Sequence, residues 1–194
     1  MKYLFFDIEC ASRDNTGRNQ LYSFGYLLAD ESMHILEGGK DILINPDVKQ
    51  WDRHVLKEIL AYPKAEIERQ PKFIKAYKKI KNLLEEAETV VCGFSVKDDV
   101  GYLLDECERY HCEPFQFEFY DIQRLAANIS GTKVNGLGTT YIEWCGRFAD
   151  GAHRSDMDAR YTYEIARAIC EKTNKKLMDL FQANENCVGR RVIL

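Results

Sequence analysis

Before residue 45 the chain reads only as strands, and beyond it strands alternate with helices. No other feature limits the fold as much. Residues 2–9 alternate between two faces and are rich in aromatic and branched side chains. Residues 21–29 (LYSFGYLLA) have the same character, and residues 33–44 form a third such stretch, interrupted by Gly38-Gly39. A short separator, Asp30-Glu31-Ser32, makes these an antiparallel meander. From Asn45-Pro46 onward apolar residues recur at helical spacing over residues 51–62 and 71–86. The second run carries Phe73, Ile74, Tyr77, Ile80 and Leu84, with Pro71 at its start and Lys75, Lys78, Lys79 and Lys81 on a solvated face. A short apolar strand is expected over 89–94, then a helix with Val100, Leu103, Leu104 and Cys107 on one face. A strand over 115–120, a helix over 122–129, a loop over 131–138, a helix over 139–145 and two helices after Ser155 and Lys175 complete the chain. This order predicts an α/β fold: a mixed central sheet, three antiparallel strands then parallel ones, flanked by helices.

The 194 residues, 45% hydrophobic and 30% charged, are enough for one domain, residues 1–194, with a core that needs no staples. No apolar run is long enough to span a membrane, and the apolar start gives way to acids too soon for a cleaved signal peptide. The seven cysteines are scattered, none in CxxC spacing, and Cys107 with Cys112 is too loosely spaced for zinc. They read as small hydrophobes in a reduced, cytoplasmic protein. The net charge of −4 argues against a broad basic surface for duplex DNA, while leaving room for an enzyme that grips one strand end.

Three places carry candidate chemistry. In FFDIEC, Asp7 and Glu9 are two residues apart on a strand, so both carboxylates project to one face and Phe6 and Ile8 to the other. Paired acids on a buried strand are costly unless a cation neutralises them, and carboxylates suit Mg²⁺ or Mn²⁺. Alone, the pair also fits a strand running out into solvent. In VVCGFSVKDDVGYLL an acidic pair stands where a helix follows a buried strand. That position serves helix capping as well as ligand binding, and position alone leaves Asp98 and Asp99 both open; the resemblance described below selects Asp99 for chemistry and leaves Asp98 to solvent. In GAHRSDMDARYTYEI, Ser155 can cap a helix with Asp158 three residues on. His153 precedes that helix in a loop, where an imidazole can accept a proton near neutral pH.

Taken together, Asp-x-Glu, an acid at a later strand-to-helix junction, and His-x-x-x-x-Asp resemble the DEDDh family of 3′→5′ exonucleases, which includes DnaQ-like proofreading domains and RNase T. The resemblance runs in order along nearly the whole chain. Asp7 and Glu9 match the first motif, Asp99 the second, and His153 and Asp158 the third, with Ala159 as the small residue that follows. Asp121 and Leu137 resemble lesser landmarks with structural roles. A sister group carries tyrosine four residues before the last acid, and Arg154 stands there in this chain. The chain departs from the family at Cys10-Ala11-Ser12, where Thr-Thr-Gly is frequent, and at Phe94-Ser95, where His-Asn is common.

The resemblance implies a ribonuclease H-like fold and two Mg²⁺ or Mn²⁺ ions. Asp7 would bridge both ions, Glu9 and Asp158 would complete one site, and Asp99 would act through water on the other. His153 would be general base in releasing nucleoside 5′-monophosphates from single-stranded or frayed 3′ ends of DNA or RNA. A polymerase or another replication or repair factor would be a fitting protein partner. Phe24, Tyr22, Tyr26 and Tyr102 are candidates for base stacking, although strand and helix faces favour the core for most of them. Arg13, Arg18, Arg147 and Arg154 are candidates for phosphate contacts. Two other readings stand beside this one: a ribonuclease H-like endonuclease, and a non-catalytic protein that keeps the fold to bind a polymerase or other nucleic-acid-processing partner.

Overall fold

The computed structural model describes residues 1–13, 17–151 and 153–191. Strands β1 (Lys2–Arg13), β2 (Asn19–Asp30) and β3 (Ile35–Leu43) form the expected antiparallel meander. Strand β4 (Thr89–Gly93) adds to β1 in parallel, and β5 (Phe117–Asp121) adds to β4 in parallel. A last strand, β6 (Val188–Arg191), pairs antiparallel with β5 and closes a sheet of order β3-β2-β1-β4-β5-β6. The helices are α1 (Lys64–Ile67), α2 (Phe73–Glu85), α3 (Lys97–Arg109), α4 (Ile122–Ser130), α5 (Leu137–Cys145), α6 (Ser155–Thr173) and α7 (Leu177–Gln182).

β1 is central and covered on both faces, which explains why its first residues are uniformly apolar. Tyr3 and Phe5 pack toward α4 and α6, against Leu125, Tyr163, Ala166 and Ile169. Leu4, Phe6 and Ile8 pack the other way, onto Phe73, Ile80 and Leu84 of α2 and Val100 and Leu103 of α3. Asp7 and Glu9 therefore continue the α6 side of the strand, where the apolar layer ends.

Residues 51–62 do not form the helix their spacing predicts. Only a short helical turn appears there, π-helical over Val55–Ile59, and the short α1 follows after Pro63. The Asp52 carboxylate accepts the N–H groups of His54 at 2.7 Å and Val55 at 3.3 Å and so caps the turn, which ends where Leu60 is extended. Pro63 then disfavours helix at the residue before it. The apolar residues of this segment instead build a third cluster, in which Trp51, Val55 and Ile67 cover Ala11 and Tyr22. Two further differences are small: α5 begins at Leu137, before the expected start at 139, and β6 lies where only helix was expected after Lys175.

Candidate metal centre

The parallel pairing of β1 with β4 stops at Phe5 opposite Cys92, so β1 runs on past the end of its neighbour. A crevice at the carboxyl ends of parallel strands results, and Asp7 and Glu9 stand on its wall. Beyond β4 the chain turns through Ser95, at φ +54°, into α3, whose first turn presents Asp98 to solvent and buries Asp99. The Asp121 carboxylate holds that turn, accepting the Ser95 N–H at 3.2 Å while capping α4 through the N–H groups of Gln123 and Arg124. From the third side comes the first turn of α6, with Asp158 buried.

Carboxylate oxygens of Asp7, Glu9 and Asp158 all lie within 4.8 Å of one another. Asp99 is outside that set, yet among the charged neighbours of Asp7 its carboxylate acts most strongly. Asp158 Oδ2 accepts the His153 N–H at 3.0 Å, whereas Asp158 Oδ1 is buried with no hydrogen-bond partner. His153 itself is exposed and left-handed, at φ +71°, so its loop turns sharply while its main chain stays tied to Asp158.

The electrostatics follow from this crowding. Burial, then the charges of Asp99, Asp158, Glu9 and Asp41, holds the Asp7 carboxyl well above the usual carboxylate range. Burial, then Asp158 and Asp41, pushes Glu9 up to about 8. Asp99 is raised by burial and then by Glu9, Asp98, Asp121 and Asp158. Asp158 is pushed up to about 6 by burial and Asp156, against the lowering effect of the His153 N–H bond. The charges that act on Asp7 and Glu9 are acidic throughout. An orphaned oxygen beside two more carboxylates, all hard donors, fits a divalent cation such as Mg²⁺ or Mn²⁺.

One acid near this centre escaped the sequence motifs. Asp7 pairs with Gly25, and Gly25 pairs with Asp41, so the three stand in a row across β1, β2 and β3. Asp41 accepts the hydroxyls of Ser23 at 2.7 Å, Tyr62 at 2.7 Å and Ser155 at 3.3 Å. The start of α6 lies over the glycine in the middle of the row: a Cβ on Gly25 would collide with the main chain of Ser155 and Asp156. No local spacing announces Asp41. Only the register of three strands places it.

Several sequence expectations need correction. Ser155 does not cap α6; it is the first helical residue, and its hydroxyl meets Ser23 and Asp41 instead. The side chain that satisfies main chain at this terminus is Asp158, through the His153 N–H. Three of the four arginines considered for phosphate are occupied within the chain: Arg18 with Glu108, Arg147 with Glu164 at 2.8 Å, and Arg154 with Asp156 at 2.8 Å. The Arg13 side chain lies outside the described residues. Tyr22, Phe24 and Tyr26 are buried, as strand faces require, whereas Tyr102 lines a cleft of about 1030 Å³ with Glu9, Ser12, Trp51 and His54.

No protein-family model and no curated protein matches the chain. Solved structures do. The nuclease domain of 3′hExo, a DEDDh family member bound to rAMP, superposes with a TM-score of 0.73 at 16% identity, over 89% of this chain and 92% of that one. A 3′-exonuclease solved for 3′-end specific recognition of histone mRNA stem-loop gives 0.74 at 14% identity, over 90% and 83%. E. coli ExoI in a zinc-bound complex with ssDNA gives 0.74 at 15% identity, over 95% of this chain but only 43% of that one. Likeness at this level of identity is likeness of fold: the chain shares with these exonucleases its six-stranded mixed sheet flanked by helices.

Proposed function

We propose that the chain is a metal-dependent 3′→5′ exonuclease of the DEDDh type, releasing nucleoside 5′-monophosphates from single-stranded or frayed 3′ ends of DNA or RNA. The observation that carries this reading is the meeting of Asp7, Glu9 and Asp158, with one oxygen of Asp158 buried and unmet, at the open end of a nuclease-type sheet. Asp7, Glu9 and Asp158 would hold Mg²⁺ or Mn²⁺, with Asp99 completing the set. Bound divalent cations supply electrostatic stabilisation of the charge that develops on the phosphodiester.

The side chains do the rest. His153, exposed on a loop tied to Asp158, accepts the proton of the attacking water on an imidazole nitrogen. The water oxygen bonds to phosphorus, the bond from phosphorus to the 3′ oxygen of the shortened strand breaks, and that oxygen takes up a proton. The cleft beside Glu9, walled by Trp51 and Tyr102, offers the adjoining space for a strand end. The seven cysteines, all free, suit a reducing compartment and hence a cytoplasmic protein. Among the described residues no helix is long and apolar enough to cross a membrane.

The test is incubation of 5′-labelled RNA and DNA single strands with Mn²⁺, comparing wild type with Asp158→Ala. A ladder of single-nucleotide losses, absent in the variant, is expected. Internal cuts would move the assignment to an endonuclease, and intact substrate with both proteins would leave a non-catalytic binding protein.

A further inference from the structure

Tyr22 does not lie where a regular strand would put it. Glu9 pairs with Ser23 and Cys10 with Leu21, so Tyr22 is an extra residue in β2 with no partner on β1. A regular β2 would place Tyr22 on the same side as Phe24 and Tyr26, against α2 and α3. Leu21 packs there, together with Phe24 and Tyr26, whereas Tyr22 packs on the opposite side with Ala11, Trp51, Val55 and Ile67. The bulge has thus turned one phenol onto the face that carries Glu9. Its ring leans on Trp51 with centroids 5.6 Å apart, and the residue is 1% exposed.

The phenol oxygen is buried and has no hydrogen-bond partner. Its surroundings keep the proton on it: burial, then the charges of Glu9, Asp41, Cys10 and Asp7, raises its pKa far above that of a free tyrosine. A buried donor without an acceptor is unfavourable unless some state of the protein supplies one. Asp41 is already met by three hydroxyls, and of the other two carboxylates Glu9 lies opposite Ser23, the residue next to Tyr22, and acts on the phenol more strongly than Asp7.

Building on the metal-centre reading above, we infer that Tyr22 is a positioning residue for Glu9, donating its hydroxyl to the carboxylate oxygen turned away from the cation when the site is loaded. Such outer hydrogen bonds fix the orientation of a ligand and raise metal affinity. The bulge in β2 is then the device that brings the donor to the site, and Trp51 is the wall that holds the ring.

The experiment is isothermal titration of Mn²⁺ into the metal-free full chain, without nucleic acid, for wild type, Tyr22→Phe and Tyr3→Phe. Tyr3 is a buried tyrosine on the same strand face as Glu9 but packed among Phe5, Cys92 and Ile169, and serves as the control. Tyr22→Phe should bind Mn²⁺ about tenfold more weakly and Tyr3→Phe like wild type. The Mn²⁺ concentration for half-maximal nucleotide release should shift by the same factor, with the rate at saturating Mn²⁺ held. A second measurement needs no variant. In wild type labelled at tyrosine Cζ, the Tyr22 resonance should move on adding Mg²⁺ and that of Tyr3 should stay. Unchanged affinity in Tyr22→Phe, or a stationary Tyr22 resonance, overturns the inference while leaving the exonuclease reading intact. A wild type that takes up no Mn²⁺ overturns both.

Discussion

Asp99 and Glu106 belong to the same helix, α3, and both are buried, yet their surroundings differ in kind. Glu106 accepts the Leu21 N–H at 2.9 Å and an Arg109 N–H at 3.2 Å. Arg109 in turn donates to the carbonyls of Pro46 and Asp47. Burial still pushes Glu106 up to about 7, with Arg109 and the Leu21 bond opposing it. At the other end of the helix, Asp99 faces Glu9, Asp98, Asp121 and Asp158, acids that raise its pKa together with burial. A raised pKa is common to both ends and so does not mark chemistry. What separates them is whether the chain itself meets the charge. Glu106 fastens α3 to β2 and to the loop after β3, whereas the charges acting on the acids around Asp7 are acidic, and in the proposed reading a bound cation meets them.

Substitutions on the two sides should therefore fail in different assays. Asp7→Asn should lose all detectable nucleotide release and Mn²⁺ binding while its metal-free melting temperature rises. Retained turnover with Mn²⁺ would break the contrast at its strongest point. His153→Ala should slow nucleotide release roughly a hundredfold with Mn²⁺ affinity held, and coincident pH–rate profiles for variant and wild type would remove it from the role of base. Glu106→Ala should leave kcat/KM unchanged while costing about 1–3 kcal/mol in denaturant unfolding, because it strands the Leu21 N–H and Arg109. A loss of activity larger than the loss of folded protein would blur the distinction.

The smallest effect is the pH dependence. Glu9, raised from 4.5 to about 8, and Asp158, raised from 3.8 to about 6, hold protons more tightly when folded. Their contribution to stability is complete below the unfolded values and disappears as pH rises through about 6 and then 8. Glu106 has the same sign. The metal-free melting temperature should fall from pH 5 to 8, and saturating Mg²⁺ should remove the share due to the acid cluster while leaving that of Glu106. A slope indifferent to Mg²⁺ would place the cation elsewhere.

The order of strands and helices was legible because β1 and β2 are long runs rich in aromatic and branched residues, and the helices beyond residue 70 carry apolar residues at helical spacing. Asp7, Glu9, Asp99, His153 and Asp158 could be singled out because each sits in a short local pattern. Asp41 could not, since its place depends on pairing with Gly25, which in turn pairs with Asp7. Residues 51–62 misled because apolar spacing alone does not register that the chain turns extended at Leu60, ahead of Pro63. The role of Ser155 was misread for a related reason: a serine at a helix start has an obvious local use, and only the fold brings Ser23 and Asp41 within its reach. Tyr22 was grouped with Phe24 and Tyr26 as a candidate for base stacking or for the core, and the bulge sends it to a different cluster from theirs.

The bare α-carbon at Gly25 has a consequence for how such a chain can change over time. Helix and sheet touch there without an intervening side chain, and the two acids flanking the glycine in register are Asp7 and Asp41. Even one methyl group would act as a wedge, lifting the helical turn that delivers Asp158. The side chains on either side of Gly25, Phe24 and Tyr26, point into the hydrophobic interior on the opposite face of the sheet, so one position joins the seat of the acids to the core.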